Sequence, residues 1–506
     1  MQTVIRIHVK DNVAVALNTL SPGQEVSAGE VTVTIAQEIP AGHKFALADL
    51  KTGDEVVKYG CSIGRAVKSI GAGEWVHTHN IKTGLGDILE YSYQPIDSVN
   101  EISGPGVSGS HNAEPAETVY FKGFRRDNGK VGIRNEIFII PTVGCVNDVA
   151  RLLEKKSREY LANGVDDVVA YTHPYGCSQL GDDQLNTQKI LAGLINHPNA
   201  AGVLVLGLGC ENNNIDEMKK HLGSCSEDRV KFLVCQEYED EIEQGIKLLK
   251  ELMNYARKFR REEIAAGELV IGLKCGGSDG LSGITANPLV GAFSDLLIAN
   301  GGTTILTEVP EMFGAETILM NRCADKVLFE KTVALINDYK QYYKDNNQPI
   351  YENPSPGNKK GGISTLEDKS LGCTQKSGSS KVSGVLGYGE QVEDKGLMLL
   401  SAPGNDLVAS TALAAAGAHI ILFTTGRGTP FGAPVPTVKI SSNSALAEKK
   451  KDWIDFDAGR LLTDRSLSDL SQELFDRVIE VASGKKVKSE EFGYHDLAIF
   501  KKGVTL

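Results

Sequence analysis

Short stretches of alternating apolar and polar residues fill the first part of the chain. Residues 4–9 and 31–35 both show this alternation, and turn-forming glycines, prolines and aspartates separate such stretches, as at residues 21–23 and 51–54. A period of two is typical of half-buried strands joined by tight turns. We therefore predict a small β-rich domain over residues 1–92.

A stretch of different composition follows this domain. Residues 93–118 contain three prolines, several serines and glycines, and few large apolar side chains. Such a segment cannot bury enough apolar surface to fold by itself. It is predicted to be a linker.

Beyond residue 119 the pattern changes to continuous apolar runs that alternate with helical segments. These runs lie at residues 136–141, 167–171, 201–207, 231–234, 269–273, 303–307, 396–400 and 419–423. Uninterrupted apolar strands between helices indicate parallel sheets, which bind ligands beyond the carboxyl ends of their strands. A charged helical span at 238–266 divides the strands, so we predict one α/β domain over 119–265 and a second over 266–506.

Charge and composition narrow the functional classes. The net charge of −12 over 506 residues argues against nucleic acid or an anionic membrane as partner. The first residues lack the pattern of a signal peptide, and the apolar run at 412–424 is too short to span a bilayer. Nine cysteines, an odd number, favour reduced thiols. A cytoplasmic protein is expected and, given its size and several domains, a homo-oligomer.

Histidines in the β-rich region form one candidate site. If the segment Trp75–Asn80 is extended, His77 and His79 point to the same face, because residues two apart in a strand do so. His43, which follows another turn, would add a third imidazole. The trio is either a divalent metal site or a set of structural histidines.

Cysteines mark a second candidate site. Four predicted strands of the domain at 119–265 are followed by Cys145, Cys177, Cys210 and Cys235. The carboxyl ends of parallel strands share one edge, so the four thiols are expected to converge there. They either hold an iron–sulfur cluster, although no Cys-x-x-Cys spacing is present, or act as small buried apolar residues.

The segment at residues 351–379 is the third candidate. Two prolines and three glycines in its first half predict irregular structure there. Its lysines, serines and amides suit a polyhydroxy anion, although a solvated surface loop is the alternative. Two later strands are each followed by a Gly-rich turn. The first turn contains Ser278 and Asp279, and an oxyanion can approach its backbone N–H groups. The second contains Arg427, which either binds a carboxylate or is an ordinary surface residue of the turn.

Taken together, these stretches resemble the altronate/galactarate dehydratase family. The resemblance rests on residues 77–80, 141–147, 175–183, 207–213, 275–288, 351–379 and 424–430, among others. It implies an N-terminal SAF-type (β-clip) domain followed by two α/β domains. The run Gly372–Lys376 resembles the altronate branch of the family.

The resemblance also implies an activity. Family members remove water from a sugar acid to give a 2-keto-3-deoxy acid, with Fe(II) or Mn(II) as cofactor. In the altronate branch, D-altronate gives 2-dehydro-3-deoxy-D-gluconate during hexuronate (galacturonate) catabolism. Two alternatives remain: a dehydratase for another sugar acid such as galactarate, and a sugar-acid-binding protein without turnover.

Within this chemistry we assign roles by residue type. His43, His77 and His79 are expected to bind the metal, with Asp182, Asp183 and Glu308 as further candidate ligands. His173 is expected to be the general acid or base, with Lys376 as the alternative base and Lys369 beside it. Substrate binding is assigned to Ser278, Asp279, Asn358, Lys359, Gln375 and Arg427, and Lys369, Lys376 and Arg427 are expected to hold the carboxylate.

Overall fold

The N-terminal domain is β-rich, as expected. The structure, a computed structural model, describes residues 3–96, 118–161, 163–463 and 465–505. The strands of this domain pair in antiparallel sheets of order β1-β2-β5-β8, β3-β4 and β6-β7-β9. They are β1 (Val4–Ile5), β2 (Val13–Ala16), β3 (Glu25–Ala28), β4 (Val31–Thr34), β5 (Lys44–Ala46), β6 (Glu55–Lys58), β7 (Cys61–Ala66), β8 (Trp75–Val76) and β9 (Ile81–Lys82). Most of the predicted linker, residues 97–117, lies outside the described residues.

A four-stranded parallel sheet forms the centre of the second domain, with strand order β13-β12-β14-β15. An antiparallel sheet, β11-β10-β16, joins the beginning of this region to its end. The elements are β10 (Tyr120–Arg125), β11 (Val131–Gly132), β12 (Glu136–Pro141), α1 (Asn147–Ser157), β13 (Val168–Ala170), α2 (Gly181–Ile195), β14 (Ala200–Gly207), α3 (Ile215–Leu222), β15 (Val230–Val234), α4 (Glu241–Ala256) and β16 (Arg261–Ala265).

The C-terminal domain contains a seven-stranded parallel sheet of order β19-β20-β18-β17-β21-β22-β23. Its strands are β17 (Val270–Cys275), β18 (Thr303–Leu306), β19 (Val382–Leu386), β20 (Gly396–Leu400), β21 (Ile420–Thr425), β22 (Thr437–Ser441) and β23 (Phe456–Asp457). Its helices are α5 (Ala286–Ala299), α6 (Glu316–Met320), α7 (Lys326–Asp345), α8 (Pro356–Lys360), α9 (Leu366–Cys373), α10 (Asp406–Ala415), α11 (Ser444–Lys449), α12 (Leu467–Ala482) and α13 (Lys488–Glu491). The predicted α/β fold class is confirmed.

The two parallel sheets direct their carboxyl ends to the same side of the molecule. Helices α2 and α10 pack together, with Gly193 against Ala415 near the C-terminal ends of both. Just beyond these ends, His197 Nε2 lies 3.1 Å from the carbonyl oxygen of Ala418. The strands that follow, β14 and β21, therefore start side by side. Functional groups at the two carboxyl edges face a common side.

The segment at residues 351–379 is not the irregular loop that its prolines and glycines predict. Its described structure is mostly helical and largely buried, and it includes α8, α9 and a 3-10 turn, Thr374–Ser377. Pro356 occupies the first turn of α8, where its missing N–H costs nothing. Ser355 and Asn358 form a capping box at that helix.

Within the described ranges, no helix combines the length and the apolar character that crossing a bilayer requires.

Three buried histidines predict how stability depends on pH. In His173, His197 and His419, Nδ1 accepts a hydrogen bond from a backbone N–H and Nε2 lies 2.7–3.1 Å from a backbone carbonyl oxygen. Burial lowers the pKa of His173 and His419 to about 4 and that of His197 to about 3. A proton on Nδ1 would face another N–H, so the folded rings stay neutral.

We therefore expect the chain to lose stability as the pH falls from about 6.5 towards 4, because in that window only the unfolded histidines bind protons. The upper limit is about 1.4 kcal/mol per pH unit for each histidine. Urea unfolding near pH 7 and near pH 5 would measure the change. The variant His419→Gln should show a smaller difference, and His221→Gln, on the surface, should match the parent. Equal unfolding curves at the two pH values would contradict the expectation.

Candidate active site

A buried cluster of charged groups and thiols lies at the carboxyl edge of the C-terminal sheet. It comprises Lys274, Cys275, Glu308, Glu311, Lys369, Cys373, Lys376 and Asp406. Three adjacent central strands, β17, β18 and β20, lead into members of this set, while α9 and the turn after it supply the rest. The position is the one at which parallel α/β sheets bind ligands.

Lys274 and Glu308 form the centre of the cluster. The ammonium of Lys274 contacts Glu308 Oε1 and lies 2.9 Å from Asp406 Oδ1. Glu308 Oε2 accepts hydrogen bonds from Lys376 Nζ at 3.2 Å and from the Cys275 backbone N–H at 3.0 Å. The Asp406 side chain is 37% exposed, so the cluster reaches solvent at this point.

Lys369 and Glu311 form a second ion pair beside the first. Lys369 Nζ lies 2.6 Å from Glu311 Oε1 and also donates to the amide oxygens of Asn353 and Asn358, at 3.0 and 3.4 Å. Asn353 is half-buried. This edge, too, approaches the surface.

Two thiols contact Oε2 of Glu311, the carboxylate oxygen opposite the one that pairs with Lys369. The sulfurs of Cys275 and Cys373 are 3.4 Å apart and lie 3.1 and 3.2 Å from Glu311 Oε2. Their ligand atoms all lie within 4.8 Å of one another, a property that no other group of three His, Cys, Asp or Glu residues shares in the described parts of the chain. The trio can hold one metal ion.

The surroundings fix the charges of this cluster. Burial alone would lower the pKa of Lys376, but Cys275 and Glu308 outweigh it and raise that pKa well above its usual value. Burial likewise opposes the charge on Glu311, yet Lys369 and Lys274 hold the pKa of its carboxyl below the usual range. The lysines are therefore cations at neutral pH, and Lys376 is a poor base.

Glu308 has a strained backbone. Its φ of 69° lies in the left-handed region, which costs a residue with a side chain free energy. The strain lets Glu308 turn back from the end of β18 to reach both Lys274 and Lys376. Strain of this kind is concentrated at functional sites.

The three histidines expected to bind metal do not all lie on one face. Residues 77–80 form a turn instead of a strand, so His77 is buried while His79 is exposed. His43 uses both ring nitrogens, since Nδ1 accepts from Trp75 Nε1 at 3.2 Å and Nε2 lies 3.3 Å from the Lys360 carbonyl oxygen. The expectation that His77 and His79 share a face was wrong. The ring centroids of His43 and His77 do lie 5.1 Å apart, and the metal role of these residues stays a prediction.

His173 is also tied to the backbone. Its Nε2 lies 2.8 Å from the Pro141 carbonyl oxygen, and its Nδ1 accepts from the Tyr175 N–H at 3.2 Å. Both nitrogens are therefore used in holding two loops together. A role as general acid or base does not fit this geometry.

The expected substrate-binding residues surround the cluster in several different roles. Asp279 is half-buried and holds its own turn through Ser282 and Ser442, and Asn358 donates to the Ser278 carbonyl oxygen. Gln375 donates to the carbonyl oxygens of Gly283 and Leu371.

Two cations from the same set remain available to a ligand at the surface. Arg427 is exposed, with Nη1 3.3 Å from the Gly357 carbonyl oxygen, and Lys359 is half-buried. Two expected further ligands are used elsewhere, because Asp183 accepts from the backbone N–H groups of Lys502 and Gly503 and Asp182 pairs with Lys502.

Sequence reasoning missed Lys274, Cys275, Glu311 and Asp406 as site residues, and it noted Cys373 only within the run Gly372–Lys376. The available signal was position, because each of the four missed residues lies at the end of a strand of the C-terminal sheet or within a few residues of it. Their mutual contacts depend on strand order. That order is not written in the local sequence.

Comparison with known proteins agrees with this architecture. Residues 2–84 match the altronate/galactarate dehydratase SAF domain, residues 123–257 the D-galactarate dehydratase/altronate hydrolase second domain, and residues 266–505 the D-galactarate/altronate dehydratase C-terminal domain. The chain belongs to the altronate/galactarate dehydratase family.

Individual relatives cover the chain from end to end. It is 54% identical to the altronate dehydratase of Escherichia coli (strain K12), over 99% of both chains, and 56% identical to that of Bacillus subtilis (strain 168), over 100% of both. The galactarate dehydratase (L-threo-forming) of Escherichia coli (strain K12) is 32% identical over 98% of this chain and 96% of its own.

Proposed function

We propose that this chain is a metal-dependent hydro-lyase that converts D-altronate into 2-dehydro-3-deoxy-D-gluconate and water, a step of hexuronate breakdown. The observation that carries the proposal is the identity of 54–56% over full length to two altronate dehydratases, against 32% to a galactarate dehydratase. The cytoplasmic location and the homo-oligomeric state remain predictions.

The buried cluster suits this chemistry. Dehydration removes the proton from C2, next to the carboxylate, and expels the C3 hydroxyl as water, so negative charge builds up on the carboxylate oxygens. Lys369 and Lys376 would stabilise that charge as fixed cations in a site of low dielectric constant. Glu311, held ionised by Lys369 and facing the two thiols, would serve as a metal ligand and not as the base, and the Lys376 ammonium would donate a hydrogen bond to the leaving hydroxyl.

The donor set Cys275, Glu311 and Cys373 fits iron(II), the cofactor that the family resemblance implies. Two sulfurs and one carboxylate suit iron better than manganese, which prefers oxygen ligands. The charges also balance. The three lysines, Lys274, Lys369 and Lys376, are matched by the carboxylates of Glu308, Glu311 and Asp406. Two thiols that lose their protons match the two positive charges of a divalent ion. When bound, such an ion would act as a Lewis acid towards a substrate oxygen.

Parallel turnover assays test the proposal. We would measure 2-keto-3-deoxy acid formation from D-altronate and from galactarate, with Fe(II), with Mn(II) and after chelation. The expected result is metal-dependent product from D-altronate, with kcat/KM at least about a hundredfold above that for galactarate. Product from galactarate alone would overturn the substrate, and binding of D-altronate without turnover in the presence of metal would favour a non-catalytic protein.

A further inference from the structure

Three exposed thiols lie at the carboxyl edge of the second domain, away from the cluster described above. Cys177, Cys145 and Cys210 follow the neighbouring strands β13, β12 and β14, and all three are exposed. A free cysteine is among the most often buried residue types. Three exposed thiols on adjacent strand ends are therefore unusual for side chains that serve only packing.

The loops that carry these thiols are bound to one another next to each cysteine. The Gly144 N–H donates to the Tyr175 carbonyl oxygen at 2.9 Å, which links the Cys145 loop to the Cys177 loop. The Asn213 N–H donates to the Gly176 carbonyl oxygen at 3.0 Å, which links the Cys177 loop to the Cys210 loop. Three strand ends are thus held together within a few residues of their sulfurs.

Two positions show how closely these loops approach. At Gly176, φ is +98° and a Cβ would lie 1.9 Å from the Thr142 carbonyl oxygen, so only glycine fits. Ser178, directly after Cys177, has a φ of 59°, in the left-handed region. Backbone strain beside exposed thiols accords with a binding loop more than with a plain turn.

Side-chain amides accompany the sulfurs. Gln236 Nε2 lies 3.7 Å from Cys210 Sγ and donates to it, whereas Asn212 Oδ1, 3.8 Å from Cys177 Sγ, accepts from the Cys177 thiol and from the Ser178 N–H. Hydrogen bonds to thiolate sulfurs are a feature by which proteins tune iron–sulfur centres. Cys235, on the fourth strand, differs: it is half-buried, packs against the apolar core, and burial raises its pKa to about 11.

We propose that Cys145, Cys177 and Cys210 bind an iron–sulfur cluster as three thiolates, each giving up its proton, and leave one iron open to an oxygen ligand. This edge faces the same side of the molecule as the lysine cluster. The open iron would bind an oxygen atom of a sugar acid. This assignment of the ligand rests on the proposed function. Binding of the cluster itself does not.

The test measures iron and acid-labile sulfide in protein purified or reconstituted without oxygen, with the electron paramagnetic resonance spectrum of the reduced sample. We expect about four sulfide ions per chain, and about four iron ions for the cluster in addition to any iron(II) held by Cys275, Glu311 and Cys373. Cys145→Ser, Cys177→Ser and Cys210→Ser should each lose at least half of the sulfide. Cys235→Ser, at the same edge, and Cys61→Ser, on the N-terminal domain, should keep it.

Substitution at these exposed thiols is expected to leave the thermal unfolding midpoint of each apo variant close to that of the apo parent. No sugar acid enters the assay, so a wrong substrate assignment would leave the result unchanged. A reconstituted parent without labile sulfide would overturn the proposal. So would loss of sulfide in Cys275→Ser or Cys373→Ser combined with full retention in the three edge variants.

Discussion

Lys376→Met is expected to lower kcat for altronate dehydration by about a thousandfold while the protein stays folded. Lys376 is 1% exposed, and its acidic neighbours hold it as a cation. Removing a fixed cation or a general acid from a buried site costs about two to four orders of magnitude in rate. Glu308 would keep its contacts with Lys274 and with the Cys275 backbone N–H, so no buried carboxylate is left without a partner.

A matched control separates catalysis from stability. Lys340 is equally buried and pairs with Glu316 at 2.9 Å in the same domain, outside the cluster. Lys340→Met should therefore cost at least as much stability, yet keep kcat within about threefold of the parent at a temperature where both are folded. Steady-state kinetics and circular dichroism give both quantities. If Lys376→Met kept more than a tenth of the activity, the assigned role would be wrong.

The strands were predictable because their apolar runs are continuous. Residues 136–141 and 396–400 were predicted with the bounds that the structure has. In a parallel sheet covered on both faces, most positions in a strand are apolar, so burial leaves a strong local signal. The α/β fold class follows from that signal and from the helices between the strands.

Two local predictions failed because hydrogen bonds from polar side chains determine the backbone conformation at those positions. Asn80 Oδ1 accepts from the His77 N–H at 2.8 Å, which closes a turn where alternation suggested a strand. At residues 355–358, the caps and Pro356 start a helix where prolines and glycines suggested none. Both signals were present in the sequence, but each has meaning only when the residue's partner is known.

The cluster itself could not be predicted in full. Lys274 and Glu308 are 34 residues apart, and Lys274 and Asp406 are 132 apart. Their contacts depend on the order β20-β18-β17, which neither periodicity nor composition encodes. The sequence did indicate polar groups at strand ends, and that part of the prediction was confirmed.

The second large effect is expected at the contact between the N-terminal and C-terminal domains. Asp368 is buried between two lysines, with Oδ2 2.9 Å from Lys44 Nζ and Oδ1 3.0 Å from Lys58 Nζ. Asp368→Leu would leave two buried ammonium groups without their carboxylate. We expect the free energy of unfolding to fall by about 3–5 kcal/mol, because an uncompensated buried charge is the costly state. Urea unfolding followed by Trp75 fluorescence, in a Trp453→Phe background, reports on this contact.

A triple variant distinguishes loss of charge balance from loss of shape. Lys44→Met, Lys58→Met and Asp368→Leu together remove all three charges and keep most of the apolar volume. Replacing a whole buried ionic group by apolar side chains is often neutral or stabilising, so the triple variant should recover most of the stability that Asp368→Leu loses. If the triple variant is no more stable than the single one, the cost lies in packing or in the hydrogen bonds of Ser364, whose N–H donates to Asp368 at 3.1 Å. Recovery would instead show that this ionic group fixes how the two domains fit together without adding net stability.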